Sequence, residues 1–150
     1  MAEVLFYHLT ESRMEEALPD LLERSLARGW RVVVQTASEE RRDALDHLLW
    51  TFRDDSFLPH GTDTETSGAL QPILLTVSDD QAANDPQVRF MVDGAVPASL
   101  SAYDRGVYMF DGHDPDQVAS ARLRWAAEKA AGHTVTYWQQ TEDRRWVKKA

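Results

Sequence analysis

The chain has 150 residues, no cysteine and a formal net charge of −9 at pH 7. This length suits a single domain, residues 1–150, with a core of its own. The lack of cysteine excludes disulfides and cysteine-ligated zinc, and the negative charge argues against direct binding of nucleic acid. No stretch approaches the ~20 apolar residues of a membrane span and no export signal is visible, so we expect a cytoplasmic protein that does not bind membranes.

The charge is unevenly distributed along the chain. Residues 111–150 carry seven lysines and arginines against six acidic residues, a net charge of +1, so residues 1–110 carry −10. All three lysines lie in the C-terminal part. We therefore expect an acidic partner to contact the C-terminal region, although a solvated surface would show the same composition.

The first elements predicted are a strand and a helix. Glu3–Leu9 is rich in aromatic and aliphatic residues, which is typical of a strand, and a helix follows it toward Gly29. Pro19 leaves two alternatives: the helix begins close to residue 17, or an earlier helix is kinked at the proline. The β-branched run at 31–35 is typical of a strand covered on both faces.

A second helix is predicted over about 38–52, after a capping box formed by Thr36 and Glu39. One face of this helix is apolar and should be buried: Leu45, Leu48, Leu49 and Phe52. Trp50 falls roughly 140° from Leu45 around the helix, outside that face. Together with Phe57 and Pro59, which follow it, Trp50 predicts a docking surface. The alternative is that the indole packs under the next loop.

Strands and helices continue to alternate along the rest of the chain. We predict a polar loop at 61–68, strands at 72–77, 88–92, 105–110 and 134–138, a helix at 116–131, and a charged tail at 141–150. Asp114 should cap the helix, with Pro115 in its first turn. This alternation predicts a three-layer α/β/α fold with a mostly parallel central sheet, similar to a mononucleotide-binding domain.

The helix at 116–131 carries two distinct stripes. Small residues form a narrow face suited to packing on a sheet: Ala119, Leu123, Ala126, Ala127 and Ala130. Beside it, apolar and cationic residues alternate: Val118, Arg122, Trp125 and Lys129. Arginine can bind a terminal carboxylate bidentately while valine and tryptophan bury an aromatic anchor. The alternative is a solvated flank with Trp125 half-buried.

Motifs for catalysis or for cofactor binding are not found in the sequence. The five histidines lack metal-ligand spacing, the acidic pairs lack partner residues, and no serine sits in a nucleophile elbow. Neither a P-loop nor a glycine-rich dinucleotide motif is present. We therefore expect no catalytic residue, no metal and no cofactor. A small nucleotide-dependent enzyme on a Rossmann-like sheet is the alternative.

Several blocks of the sequence resemble the chi subunit of bacterial DNA polymerase III. They are Leu-Phe-Tyr-His-Leu at 5–9, Gly-Trp-Arg-Val at 29–32, the Leu-Trp and Ser-Phe-Leu-Pro-His block within 49–60, and Arg-Leu-Arg-Trp at 122–125 followed by Gly132. The resemblance implies an α/β fold without a nucleotide site and a noncatalytic subunit of the clamp loader. It also implies a link, through the psi subunit, to the acidic tail of single-stranded DNA-binding protein.

The resemblance also implies roles for individual positions. Trp50, Phe57 and Pro59 match the surface that takes psi, or a helicase that competes with psi. Arg122 and Trp125 match the arginine and the aromatic residue that bind the tail, which ends in aspartate, proline and phenylalanine. Val118 stands where the family has a lysine, and position 125 carries an indole.

Overall fold

The computed structural model describes residues 2–51, 58–64 and 68–150. Three α-helices are present in this part of the chain, α1 (Met14–Ala27), α2 (Glu39–Thr51) and α3 (Pro115–Ala130). The strands are β1 (Glu3–Leu9), β2 (Val32–Gln35), β3 (His60–Thr62), β4 (Ile73–Thr76), β5 (Val88–Met91), β6 (Arg105–Asp111), β7 (Thr134–Gln140) and β8 (Trp146–Lys148). A 3-10 turn, Gly68–Leu70, precedes β4.

These strands form one sheet in the order β3-β4-β2-β5-β6-β1-β7-β8. Each neighbouring pair from β3 to β7 is parallel, and β8 pairs antiparallel with β7. Two hydrophobic clusters pack on opposite faces of the sheet, and successive residues of a strand belong alternately to one and to the other. The predicted three-layer α/β/α fold with a mostly parallel sheet is confirmed.

The larger cluster joins the sheet to α1 and α2. Its helical members are Leu18, Leu21 and Leu22 of α1 and Leu45 and Leu49 of α2. The predicted buried face of the second helix is thus confirmed for Leu45 and Leu49, and Leu48 packs against the same cluster half-buried. Phe52 lies outside the described residues.

The second cluster lies between the sheet and α3. Its members include Phe6, Tyr108 and Phe110 from the strands and Ala121 from α3. Val118 and Trp125 pack against it, half-buried. The prediction that the alanine stripe faces the sheet is wrong. Leu123 is 72% exposed, and Ala119, Ala126 and Ala130 are also exposed.

Helix α1 begins at Met14, so Pro19 lies in its interior, and the earlier of the two predicted starts is the one observed. Three other local predictions need correction. The cap of α2 is Ser38, whose hydroxyl accepts a hydrogen bond from the backbone N–H of Arg41, and the Thr36 hydroxyl instead donates to the backbone oxygen of Ser38. The polar loop predicted at 61–68 contains part of β3, and the charged tail predicted at 141–150 contains β8.

No helix in the described part of the chain is long and apolar enough to cross a membrane.

Candidate docking sites

Helix α3 positions the stripe predicted to bind an acidic peptide. The Asp114 side chain caps the helix by accepting hydrogen bonds from the N–H groups of Asp116 and Gln117, and Pro115 occupies the first turn, both as predicted. Val118 and Trp125 are half-buried against the sheet while Arg122 and Lys129 are exposed. The helix therefore presents apolar side chains at the sheet surface and cations at its rim.

Three residues of this stripe line one cavity of about 290 Å³: Val118, Arg122 and Trp125. The sheet and α3 complete its wall with Phe6, His8, Phe110, Ala121 and Tyr137. Lys129 is not part of the wall. Its Nζ lies 5.7 Å from the centroid of the Trp125 ring, which places a second cation beside the indole.

The wall of the cavity is built from aromatic rings that pack edge to face. The Trp125 ring centroid lies 5.4 Å from that of Phe6 and 6.0 Å from that of Tyr137, with steep interplanar angles. Tyr137 also lies 6.1 Å from Phe110. These contacts hold the rings in fixed orientations, so the cavity offers a preformed apolar slot with a guanidinium beside it.

Two polar groups of this cavity were missed in the sequence. The Tyr137 hydroxyl is hydrogen-bonded to Nδ1 of His8, whose ring stacks on Phe110 at 4.9 Å. Burial lowers the pKa of His8, and nearby His113 lowers it further, while Asp111 opposes this. Burial raises the pKa of Tyr137, against the effect of Arg122. The alternation of side chains along β1 could have predicted the position of His8, since it places His8 on the same face of the sheet as Phe6.

The second predicted surface surrounds Trp50 at the end of α2. Trp50 is 52% exposed, and its ring centroid lies 4.5 Å from that of His60, which is buried. Nδ1 of His60 lies 2.6 Å from the backbone oxygen of Leu58, which fixes the imidazole under the indole. Pro59, which precedes His60 in the chain, is half-buried. Phe57 lies outside the described residues.

Another cavity, of about 280 Å³, lies at the carboxyl ends of β1 and β6, where related folds bind nucleotides. Four carboxylates line it, Glu11, Glu15, Asp93 and Asp111, with Arg13 among them. Arg41 bridges the two sides of this cavity, with Nη2 2.7 Å from Glu15 and Nε 3.0 Å from Asp93. The resulting field disfavours a phosphate group.

The sequence of this chain is similar to those of known proteins. Residues 1–136 match the family model described as DNA polymerase III chi subunit, HolC. A protein of Rickettsia prowazekii named "Probable DNA polymerase III subunit chi" is 28% identical over 76 residues, which are 51% of this chain and 46% of the relative. A "DNA polymerase III subunit chi" of Pseudomonas aeruginosa is 36% identical over 55 residues, 37% of either chain. The matched segments thus span less than half the length of these two relatives.

Proposed function

This chain belongs to the DNA polymerase III chi subunit family, and from that membership we propose that it is a noncatalytic accessory subunit of the clamp loader in DNA replication. In this role, α3 binds the acidic C-terminal tail of single-stranded DNA-binding protein, and the Trp50 surface binds psi, or a helicase that competes with psi. The protein acts in the cytoplasm and contacts DNA only through its partners.

The observation that carries the proposal is the aromatic cavity under α3. A peptide that ends in aspartate, proline and phenylalanine offers one ring and several carboxylates. The ring fits a slot walled by Phe6, Trp125 and Tyr137, and the terminal carboxylate meets Arg122, which binds such a group bidentately. Lys129, beside the Trp125 ring, is within reach of the preceding acidic side chain.

The Trp50 surface is suited to a second partner. An exposed indole is a common anchor at protein interfaces, and Trp50 is held in place by its contact with buried His60, which Pro59 precedes in the chain. Helix α2 belongs to the layer opposite α3. The two proposed docking surfaces therefore lie on different sides of the sheet. The acidic cavity at the carboxyl ends of β1 and β6 argues against the alternative function, a nucleotide-dependent enzyme, because it disfavours the phosphates of a nucleotide.

Affinity measurements with single variants test the two surfaces separately. We expect Arg122→Ala and Trp125→Ala each to weaken binding of the tail peptide by ~2 kcal/mol or more, since each removes an interface anchor. Trp50→Ala should weaken binding of psi and leave tail binding unchanged. Isothermal titration calorimetry with the tail peptide and with purified psi gives these values, and tail binding should weaken as salt is raised.

Leu123→Ala is the matched control for α3, because Leu123 is exposed on the same helix but is not in the cavity wall. It should bind the tail peptide like the unaltered protein. Circular dichroism of each variant checks that the fold is retained. Equal affinity of the unaltered protein, Arg122→Ala and Trp125→Ala for the tail peptide would contradict the proposed site.

A further inference from the structure

We propose that the Tyr137 hydroxyl is a second group that binds the carboxylate of the tail peptide, and that His8 is the positioning residue that directs this hydroxyl into the cavity when it takes up a proton. The inference deepens the proposed function and rests on it, because the ligand is the same peptide. It makes proton uptake part of binding.

The geometry brings the three polar groups of the cavity together. Arg122, Tyr137 and His8 all line its wall, and the Tyr137 hydroxyl is hydrogen-bonded to Nδ1 of His8. The imidazole is held from two sides. Its ring stacks on Phe110 at 4.9 Å, and its Nε2 lies so close to Gly112 that a Cβ atom there would be 2.1 Å away. His8 therefore keeps Nδ1 directed at the hydroxyl in either protonation state.

The protonation state of His8 decides which way the hydroxyl points. In the neutral tautomer of His8 that carries its hydrogen on Nε2, Nδ1 can only accept, so the phenol gives its hydrogen to Nδ1 and its oxygen turns lone pairs toward the cavity. These lone pairs repel a carboxylate. When His8 is protonated, Nδ1–H donates to the phenolic oxygen, and the hydroxyl hydrogen is free to donate to the ligand.

Four titratable or charged groups face the imidazole in the described residues. Asp111 ends β6 and His113 follows it, while Arg122 lies on α3 and Tyr137 on β7. Burial and His113 lower the pKa of His8, against Asp111, so the free protein is neutral at His8 near pH 7. A bound carboxylate favours the protonated imidazole and raises the pKa of His8. Affinity for the peptide must then rise as pH falls through the pKa of His8 in the complex.

Calorimetry of the tail peptide between about pH 8 and pH 5.5 tests this linkage. The terminal carboxylate stays ionised over this range. We expect the affinity of the unaltered protein to rise by ~3- to 10-fold toward the lower pH, since each unit of pKa increase at His8 gives at most a factor of ten. Titrations in buffers of different ionisation enthalpy should show uptake of up to about one proton for each peptide bound.

Variants separate the roles of the two side chains. His8→Phe should remove the dependence of affinity on pH, because it removes the titrating group, while Tyr137→Phe should abolish most of the gain at low pH. His47→Gln is the matched control and should keep the gain, because His47 is exposed on α2, in the layer opposite the cavity. Because a substitution at His8 can disturb packing, the His8 resonances of the unaltered protein should also be titrated by NMR. Their apparent pKa should increase when the peptide is bound.

The outcomes distinguish this inference from the proposed function. Binding without proton uptake, or a full low-pH gain in Tyr137→Phe, would overturn the inference and leave the docking site intact. Failure of the unaltered protein to bind the peptide at any pH would overturn both.

Discussion

Glu128 is a buried carboxylate with incomplete hydrogen bonding. Its side chain is only 9% exposed, Arg124 Nη2 lies 3.9 Å from Oε1, and Oε2 accepts no hydrogen bond from the residues that the structure describes. Burial raises the pKa of Glu128, although His133 and Arg124 both act to lower it. A raised pKa means that folding favours the protonated form, so the ionised carboxylate costs stability above that pKa.

We therefore expect Glu128→Gln to be more stable than the unaltered protein by ~1 kcal/mol at pH 7, because it removes a poorly solvated charge. The difference should disappear below the ordinary glutamate pKa of about 4.5, where both side chains are neutral. Urea unfolding at pH 7 and below the ordinary glutamate pKa measures this difference in stability. Glu142→Gln, at an exposed position, is the control. A loss of stability at pH 7 would show that attraction to Arg124 exceeds the cost of burial.

Strand β5 contains a wholly buried arginine whose partners are neutral. Nε and Nη2 of Arg89 donate to Oε1 of Gln35 at 3.2 and 2.9 Å, and Nη1 donates to the backbone oxygen of Asp80 at 2.9 Å and to the Tyr103 hydroxyl at 3.0 Å. Nη2 also donates to the backbone oxygen of Ser78. This one side chain joins β2, the loop after β4 and the segment before β6.

Removing this side chain should therefore destabilise the whole sheet. We expect Arg89→Ala to lower the free energy of unfolding by ~3 kcal/mol or more, because several buried acceptors lose their donor at once. Arg31→Ala is the matched control, since Arg31 is exposed and its side chain makes one hydrogen bond within the described part of the chain, to the backbone oxygen of Asn84. Urea unfolding of both variants gives the comparison, and equal losses would contradict this account of Arg89.

Most elements were predictable because their signals are local. The apolar runs of β2 and β4 and the cap and first-turn proline of α3 can each be read from a few adjacent residues. The buried face of α3 was predicted wrongly because a helical wheel does not say which stripe meets the sheet. Val118 and Trp125 bury more apolar area against Phe6 and its neighbours than alanines could, and this decides the orientation.

The ends of the sheet depend on contacts between distant parts of the chain. Strands β3 and β8 have three residues each, too few for a periodic signal, and form by pairing with β4 and β7. The α3 stripe could be predicted because its residues share one helix. The contribution of His8 from β1 and Tyr137 from β7 to the same cavity could not, because it depends on how distant strands pair. Residues from three separate elements meet there only in the folded chain.

Strand β8 stabilises the C-terminal edge of the sheet. It covers the backbone edge of β7, and the Trp146 ring centroid lies 4.6 Å from that of Tyr7. We expect truncation after Gln140 to lower the free energy of unfolding by ~2 kcal/mol or more and to promote self-association, because the edge of β7 becomes free to pair. Urea unfolding and light scattering measure the two effects.

Val147→Ala is the control for this truncation, since Val147 lies in the same strand and is 40% exposed. This substitution should change neither the free energy of unfolding nor self-association appreciably. A truncated chain that unfolds like the unaltered protein and stays monomeric would contradict the stabilising role of β8.

The placement of α2 and α3 on opposite layers has a consequence for assembly. A partner seated on Trp50 takes up none of the area around Arg122, so one molecule has room for both ligands at once. If the proposed partners of the two surfaces belong to one assembly, binding at one surface raises the effective concentration of the partner at the other. Either contact can then open and form again while the other holds the assembly together.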